Sequence, residues 1–377
     1  MMGINDFKIT LATNGRGVYY SGETLTGEVA LSLDAPKSVN LVYVTVRGAA
    51  YVSWRESRKS GKKRRTVHYS AEEIFFDCQI TLFGNGTTSI EIPAGEQEFP
   101  FRFMLPENLP PSFEGLYGSI RYTIKATLDR PWRFNQDTKL AFSVISHVDL
   151  NMMPSLKNSL NHSNSKNVCC LCCATGPLTV NASIPFCGVV PGQELAVSVD
   201  VENSSNVAVT LVKCILVQQA TFIANFPHSK HRKAERKMLA VELGALAKNS
   251  ANNWERVLTV PSCAPSLQRN CNIIKLDYFL KVKARTAGCH SNLVVHLPLT
   301  VGTIPLGTQS TKAGHRDHPG RGSTSQATNS RLHDRDSKVM PRARTGYPGG
   351  DESNSKKGGH QRGSDNHRNR NDETMEI

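Results

Sequence analysis

The chain has 377 residues, 39% hydrophobic and 20% charged, with a net charge of +13 and 10 cysteines. That length allows two cores of ordinary size plus a tail, and no stretch reaches the roughly 18 consecutive apolar residues of a membrane-spanning helix. The N-terminus, MMGINDFKIT, lacks the apolar centre of a signal peptide, so a cytoplasmic location with reduced thiols is expected. Period-two apolar runs begin at Val29, Leu31 and Leu33 and continue at Val42, Val44 and Val46, each reading as a strand with one buried face. A basic segment follows at residues 55–65, with seven Lys or Arg against Glu56 alone, between AAYVSW and EEIFFDC. Phe99, Phe101 and Phe103 mark another strand, which must stop near Leu105 because Pro106, Pro110 and Pro111 cannot donate to a ladder. After Gly115 and Gly118 the alternation resumes. It puts Tyr122, Ile124, Ala126 and Leu128 on a buried face and Arg121, Thr123, Lys125 and Thr127 on a wet one.

Residues 151–166 are rich in Asn and Ser, have little to bury and read as a connector. Beyond a cysteine cluster, strands are expected at Leu195, Val197, Val199 and Val201, and at Ile274, Leu276, Tyr278, Leu280 and Val282. No helical stripe of comparable length competes with them. The expected fold class is all-β, two antiparallel β-sandwiches in tandem. Residues 7–149 form the first, 150–168 the linker, 169–306 the second, and 307–377 a tail. The tail is dominated by Gly, Ser, Asn, Arg and His, a composition that cannot offset the entropy of ordering, so disorder is expected there. Residues 55–65, residues 230–237 and the tail hold nearly all the excess charge, so basicity is expected in loops and tail around a near-neutral body.

The string LPENLPPSFEGLYGSIRYTIKATLDRPW at residues 105–132 resembles the N-terminal domain of the arrestin superfamily, in particular the α-arrestins. Tyr20-Ser-Gly-Glu-Thr-Leu-Thr-Gly-Glu-Val, Gly48 and Trp54 fit the same domain. Pro191-Gly-Gln-Glu, Val201-Glu-Asn-Ser-Ser, Trp254, Cys271-Asn-Ile-Ile-Lys-Leu-Asp-Tyr and Leu297-Pro-Leu-Thr-Val-Gly-Thr-Ile-Pro-Leu resemble the second domain in order. The resemblance implies immunoglobulin-like, arrestin-like sandwiches and an adaptor, not an enzyme. Such an adaptor binds membrane-protein cargo and promotes its endocytosis or endosomal sorting, peripheral at the plasma membrane and endosomes. Family members typically recruit ubiquitin ligases through Pro-Pro-x-Tyr motifs, which preset the extended helix that WW domains read. This sequence has none, since Pro110-Pro111 is followed by Ser-Phe. A ligase would then be reached indirectly, through a motif-bearing relative. The alternative is a non-recruiting scaffold that competes with such relatives for cargo. A thioredoxin-type redox role, which in one member uses a cysteine three positions before the second-domain tryptophan, is disfavoured because Ala251 stands there.

The residues that fit contact with an anionic membrane surface or phosphate are Arg58, Lys59, Lys62, Lys63, Arg64 and Arg65, with Lys230, Arg232, Lys233, Arg236 and Lys237 as a second patch. The competing reading is a solvated loop tip; nucleic acid is disfavoured because aromatic platforms and a reading helix are missing. Cys169, Cys170, Cys172 and Cys173 read first as small hydrophobes on an interdomain strand. Reversible lipidation is the alternative, and zinc is disfavoured for want of a second ligand pair at suitable spacing. Met375 and Ile377 suit a PDZ-type groove, against the alternative of an arbitrary chain end. No nucleophile elbow, phosphate loop or paired zinc motif is present, and no cofactor, catalytic residue or metal ligand is expected.

Overall fold

Alternating apolar residues form strands along nearly the whole of both halves. The computed structural model describes residues 4–12, 17–61, 63–170, 173–288 and 290–307, without the side chains of residues 58, 60, 169, 170 and 173–175. The first half contains β1 (Ile4–Leu11), β2 (Val18–Tyr20), β3 (Thr24–Leu33), β4 (Lys37–Val39), β5 (Leu41–Ser60), β6 (Lys63–Gly84), β7 (Ile90–Ile92), β8 (Gly95–Met104), β9 (Phe113–Gly115), β10 (Gly118–Asp129) and β11 (Gln136–Ile145). One layer has the order β1-β3-β8; the other is β2-β11-β10-β5-β6, with β9 paired to β10 and β4 to β7. After two short 3-10 turns, Leu150–Met152 and Pro154–Lys157, the second half contributes β12 (Leu160–Cys170), β13 (Cys173–Ile184), β14 (Gly188–Val189), β15 (Glu194–Asn203), β16 (Val209–Ala224), β17 (Lys230–Leu246), β18 (Ser250–Thr259), β19 (Ile274–Thr286) and β20 (Leu293–Val301). These strands make β12-β13-β15-β18 over β14-β20-β19-β16-β17. The fold is therefore all-β, two tandem sandwiches.

The two sandwiches repeat one local device. Tyr122 on β10 is buried and its hydroxyl donates to the Pro110 carbonyl at 2.6 Å; Tyr278 on β19 is buried and donates to the Ala264 carbonyl at 2.6 Å. Just beyond each of those carbonyls a serine takes the last strand in hand. Ser112 exchanges bonds with Val144, its Oγ accepting from the Val144 amide at 2.9 Å, and Ser266 does the same with Val301 at 2.9 Å. Pro-Ser-Phe and Pro-Ser-Leu are thus the same turn in both halves. The proline withholds a donor, and the serine and tyrosine satisfy the carbonyls and amides that the interrupted ladder leaves over. The terminal strands match too, since β2 runs parallel to β11 as β14 does to β20.

Four sequence expectations need correction. Thr127, placed on the wet face of β10, is 1% exposed; its hydroxyl donates to Asp137 Oδ1 at 2.7 Å, which lets a polar side chain be covered. The connector at 150–168 ends early, because its Asn- and Ser-rich part is edge strand β12, held to β13 by backbone pairing from Leu160↔Ile184 onward. Strand pairing needs no apolar side chains at an edge, so composition concealed it. Residues 55–65 and 230–237 are not loops: the β5–β6 ladder persists to Ser60↔Lys63, and 230–237 open β17. The cysteine segment is not an interdomain strand either. Its described backbone ends β12 at Cys170 and opens β13 at Cys173, the two paired as Cys170↔Cys173; a few residues on, Pro177 and Leu178 meet Ser204 and Asn203 at the end of the second sandwich away from the interdomain contact. The tail expectation falls outside the described residues.

The interdomain contact is a shared core. Phe222, Ala224, Leu267, Cys271, Ile273, Ile274 and Leu276 of the second half pack in one cluster with Trp54, Tyr69, Leu105, Phe113 and Tyr122 of the first. Phe222 is fully buried, edge-on to Tyr117 at 5.7 Å and tilted against Phe113 at 6.3 Å. Glycine is required where the backbones close on it: a Cβ at Gly118 would stand 2.4 Å from the Tyr51 carbonyl and 3.1 Å from Phe222.

Candidate functional site

β5 and β6 are 20 and 22 residues long, about twice the upper end of the usual strand range, and their far halves run past the first sandwich. The reason is local. No glycine, proline or Asn-Gly turn interrupts residues 49–60, and Gly61 at φ 61 supplies the reversal. The base of this hairpin is covered on both sides. Along β5, the Ser53 amide donates to the Tyr117 carbonyl at 2.8 Å and Trp54 meets Tyr117 edge-on at 6.3 Å. Along β6, the Ser70 amide donates to the Phe226 carbonyl at 3.0 Å, and Tyr69 packs on His228 at 5.2 Å. Trp54 and Tyr69 stack on each other at 5.4 Å between these two supports.

A crest results, made of the hairpin, the 115–118 turn and the 225–229 turn. Leu116 at 62% and Phe226 at 65% exposure project from the two turns, with Tyr51 half-exposed on β5. Arg55, Lys59, Lys63, Arg64 and Arg65 are exposed along the hairpin. The strand register sets Arg58 opposite Arg65 and Lys59 opposite Arg64. Like charges directly opposite across a ladder destabilise it, so the tip is a pair of strands held together against its own charge. The Arg58 side chain and all of Lys62 lie outside the described residues.

The two basic segments meet in space, but they do different work. Lys230 forms an ion pair with Glu56 and lies 5.0 Å from the Tyr69 ring centre; Glu56 also accepts from Trp54 Nε1 at 3.0 Å. The Lys230 bond, together with the Trp54 donor, holds the Glu56 carboxyl below the usual carboxylate range. Arg232 lies over the Tyr117 ring at 4.2 Å. Both cations are half-buried and belong to the interdomain contact. Lys233, Arg236 and Lys237 are exposed and run down β17 away from the hairpin.

A second tie lies at the other face of the junction. Glu73 on β6 accepts from the Asn272 amide at 2.7 Å and from Asn272 Nδ2 at 2.8 Å, and Cys271 Sγ approaches it at 3.6 Å. Sequence reasoning missed Glu56, Glu73, Tyr117 and Phe226. Only Glu56 carried a signal, as the lone acid in a run of seven bases.

Catalytic features are weak. A hollow of about 590 Å³ along β16, β17, β19 and β20 gathers Glu235, Asp277 and His296. Lys281 holds Glu235 at 2.8 Å and Gln268 donates to Asp277, while burial and then Lys281 push the His296 imidazole down. No group of three His, Cys, Asp or Glu that could hold a metal occurs among the described residues. Burial pushes Cys214 up to about 12 and Cys271 up to about 11, so these thiols are poor nucleophiles. No helix among the described residues is long and apolar enough to cross a membrane. The side chains of Cys169, Cys170 and Cys173, together with Cys172, Met375 and Ile377, lie outside the described set.

Known proteins match over both sandwiches. The family description "Arrestin (or S-antigen), N-terminal domain" fits residues 7–151, and its "C-terminal domain" counterpart fits residues 174–306. Arrestin domain-containing protein 17 of Caenorhabditis elegans is 32% identical over 319 residues, 81% of this chain and 72% of that protein. Human arrestin domain-containing protein 4 is 33% identical over 300 residues, covering 77% and 69% respectively. Mouse arrestin domain-containing protein 1 is 32% identical over 303 residues, covering 80% and 64%.

Proposed function

The chain belongs to the arrestin family, as an arrestin-domain-containing protein of the α-arrestin type, and from that premise we propose that it binds membrane-protein cargo at the crest and promotes its endocytosis or endosomal sorting. Arrestin-family proteins act generally as adaptors without catalysis, and cargo recognition is the natural use of a projecting hairpin flanked by two apolar turns. The observation that carries the reading is the cross-strand pairing of like charges at the tip, Lys59 opposite Arg64 and Arg58 opposite Arg65. Self-repelling cations at the end of a long ladder gain most when an acidic or phosphorylated cargo tail, or an anionic headgroup, lies across them. Leu116 and Phe226 project from the two turns at the base of the hairpin, beside Ser53 and Ser70, and offer apolar contacts below the charged tip.

Of the cations predicted from sequence, Lys59, Lys63, Arg64 and Arg65 carry the proposed contact, with Lys233, Arg236 and Lys237 extending it along β17. Lys230 and Arg232 act on the crest indirectly, by fixing the second sandwich against the hairpin. Ligase linkage is proposed as indirect, since the 377 residues hold no Pro-Pro-x-Tyr. That same feature favours the second reading, a scaffold that occupies cargo without delivering it. Proximity labelling in cells tests both, comparing the full chain with K59Q/R64Q/R65Q. Membrane proteins and ubiquitin ligases recovered together, and lost in the variant, support the sorting adaptor. Cargo without ligases supports the scaffold, and a labelling pattern unmoved by the variant refutes the crest as the contact.

A further inference from the structure

The turn between β10 and β11 reads Arg130-Pro-Trp-Arg-Phe-Asn135, and its two aromatic side chains stand in solvent: Trp132 is 103% and Phe134 94% exposed. The other two tryptophans, Trp54 and Trp254, are 4% and 8% exposed. Trp132 also adopts a left-handed backbone, φ 61, a region that bulky side chains avoid. The other non-glycine residues with positive φ among the described ones, Asn108, Asn249 and Asn270, are of the type that tolerates it. The strained turn is held closed: Arg130 donates to the Phe134 carbonyl at 2.6 Å, and the Arg133 amide to the Arg130 carbonyl at 3.4 Å. Two large rings are thereby aimed outward from a fixed turn rather than folded back onto the sheet.

The charge of the turn narrows what covers those rings. Residues 130–135 contain two arginines and no acid, and Arg133 is exposed. Of the flanking acids, Asp137 is engaged by Thr127 Oγ1 at 2.7 Å and by Lys125 at 3.7 Å. Tryptophan beside arginine is the composition that settles at the headgroup level of a bilayer, where the ring is half-solvated and the guanidinium meets lipid phosphate. We propose that the 130–135 turn is a membrane-docking tip that seats Trp132 and Phe134 in the interfacial layer of an anionic phospholipid bilayer, with Arg133 at the headgroups. This contact is separate from the crest. The register runs from Gly118↔Val52 near the junction to Asp129↔Leu41, so the turn lies at the end of β5 opposite to Ser60. At about 3.3 Å per residue the two ends of β5 are at most some 60 Å apart.

Trp132 is its own reporter, because the other tryptophans are buried. The full chain is mixed with phosphatidylcholine vesicles with and without phosphatidylserine, and with vesicles whose acyl chains carry bromine near the headgroup. A blue shift and bromolipid quenching that require phosphatidylserine are expected, with vesicle partitioning lowered about tenfold in W132S/F134S and partly in R133Q. Both variants change exposed side chains, and an unaltered thermal melt establishes that they fold. Absence of quenching, or a W132S/F134S chain that sediments with vesicles like the parent, overturns the proposal. A blue shift reproduced by inositol hexakisphosphate alone also overturns it, making the turn a soluble-anion site. The crest is judged separately: K59Q/R64Q/R65Q should keep Trp132 quenching whatever happens to its cargo.

Discussion

Lys230 and Glu56, 174 residues apart in the chain, close an ion pair across the two sandwiches at the base of the long hairpin. Each is about a quarter to a third exposed, so the Coulomb gain is discounted for solvent, and a coupling of about 0.5–1 kcal/mol is expected from a double-mutant cycle of E56Q and K230M. The sign with pH follows from the carboxyl. Its folded-state pKa lies below the ordinary value, so the contribution is present at neutral pH and is lost as pH falls through the depressed folded value. Urea melts at neutral and acid pH check this. A wild-type advantage over E56Q that does not shrink on acidification would mean that Glu56 acts through packing alone.

Phe222 holds the sandwiches together from the other side of the chemistry. It is fully buried between Tyr117 and Phe113, which belong to the first sandwich, while its own strand belongs to the second. F222A should cost about 3–5 kcal/mol, the range for deleting a buried phenyl ring. Because the ring bridges two cores, the loss should also split the melt into two transitions. Calorimetry reads this directly, and a single transition merely shifted to lower temperature would show that the shared core survives without it.

The paired tyrosines make a sharper test of the internal repeat. Removing the hydroxyl in Y122F or Y278F leaves a carbonyl without its donor, the buried one of Pro110 or the part-buried one of Ala264, at a cost of about 1–3 kcal/mol each. Tyr278 also accepts from Gln218, so Y278F leaves a second buried polar group short. The expected order of stability is therefore wild type, then Y122F, then Y278F, measured by chemical denaturation of the separate variants. The reverse order would mean that the Pro-Ser turns are not equivalent in the two halves.

Where apolar residues alternate, the architecture was legible: β3, β8, β10, β15 and β19 all lie where Val29, Phe101, Tyr122, Val199 and Tyr278 mark them. Polar strands were not. Residues 160–170 carry Asn, Ser and His because an edge strand is stabilised by its ladder and needs no apolar face, so nothing in the composition separates it from a connector. The basic runs misled for a related reason. Clustered charge suggests a loop, whereas a hairpin can carry cations on both faces once it extends beyond the body and solvent reaches each side. The site divided accordingly. Exposed cations were identified by type, but which of them are committed to the junction depends on Glu56 and Tyr117, and no local pattern pairs those with residues 230 and 232. Trp132 closes the 105–132 string that carries the resemblance and Phe134 lies two residues past it; alternation ends at Asp129 and gives no direction to the side chains that follow.

Thiol chemistry separates the buried from the open cysteines. With Cys214 raised to about 12 and Cys271 to about 11 by burial, thiolate fractions near pH 8 are of order one in ten thousand and one in a thousand. Cys78 is exposed on β6. Brief alkylation followed by peptide mass spectrometry should therefore mark Cys78 well before Cys214 and Cys271, with the latter two labelled only on unfolding. Comparable labelling of Cys271 in the native chain would mean that the junction beside Glu73 opens on the timescale of the reaction.

The hairpin tip offers a case in which stability and binding should move in opposite directions. K59E replaces a cation opposite Arg64 with an anion and turns a repulsive cross-strand pair into an attractive one, worth roughly 0.2–1 kcal/mol to the local ladder. Slower amide exchange is then expected on both strands near residues 59–64. If the tip serves an acidic tail or headgroup, the same change lowers that affinity, because it removes one positive charge and adds a competing carboxylate at the contact. Titration with a multiply phosphorylated peptide and hydrogen exchange on the same sample measure the two effects together. Slower exchange with unchanged peptide affinity would mean that the tip's charge governs only the solvation of the hairpin.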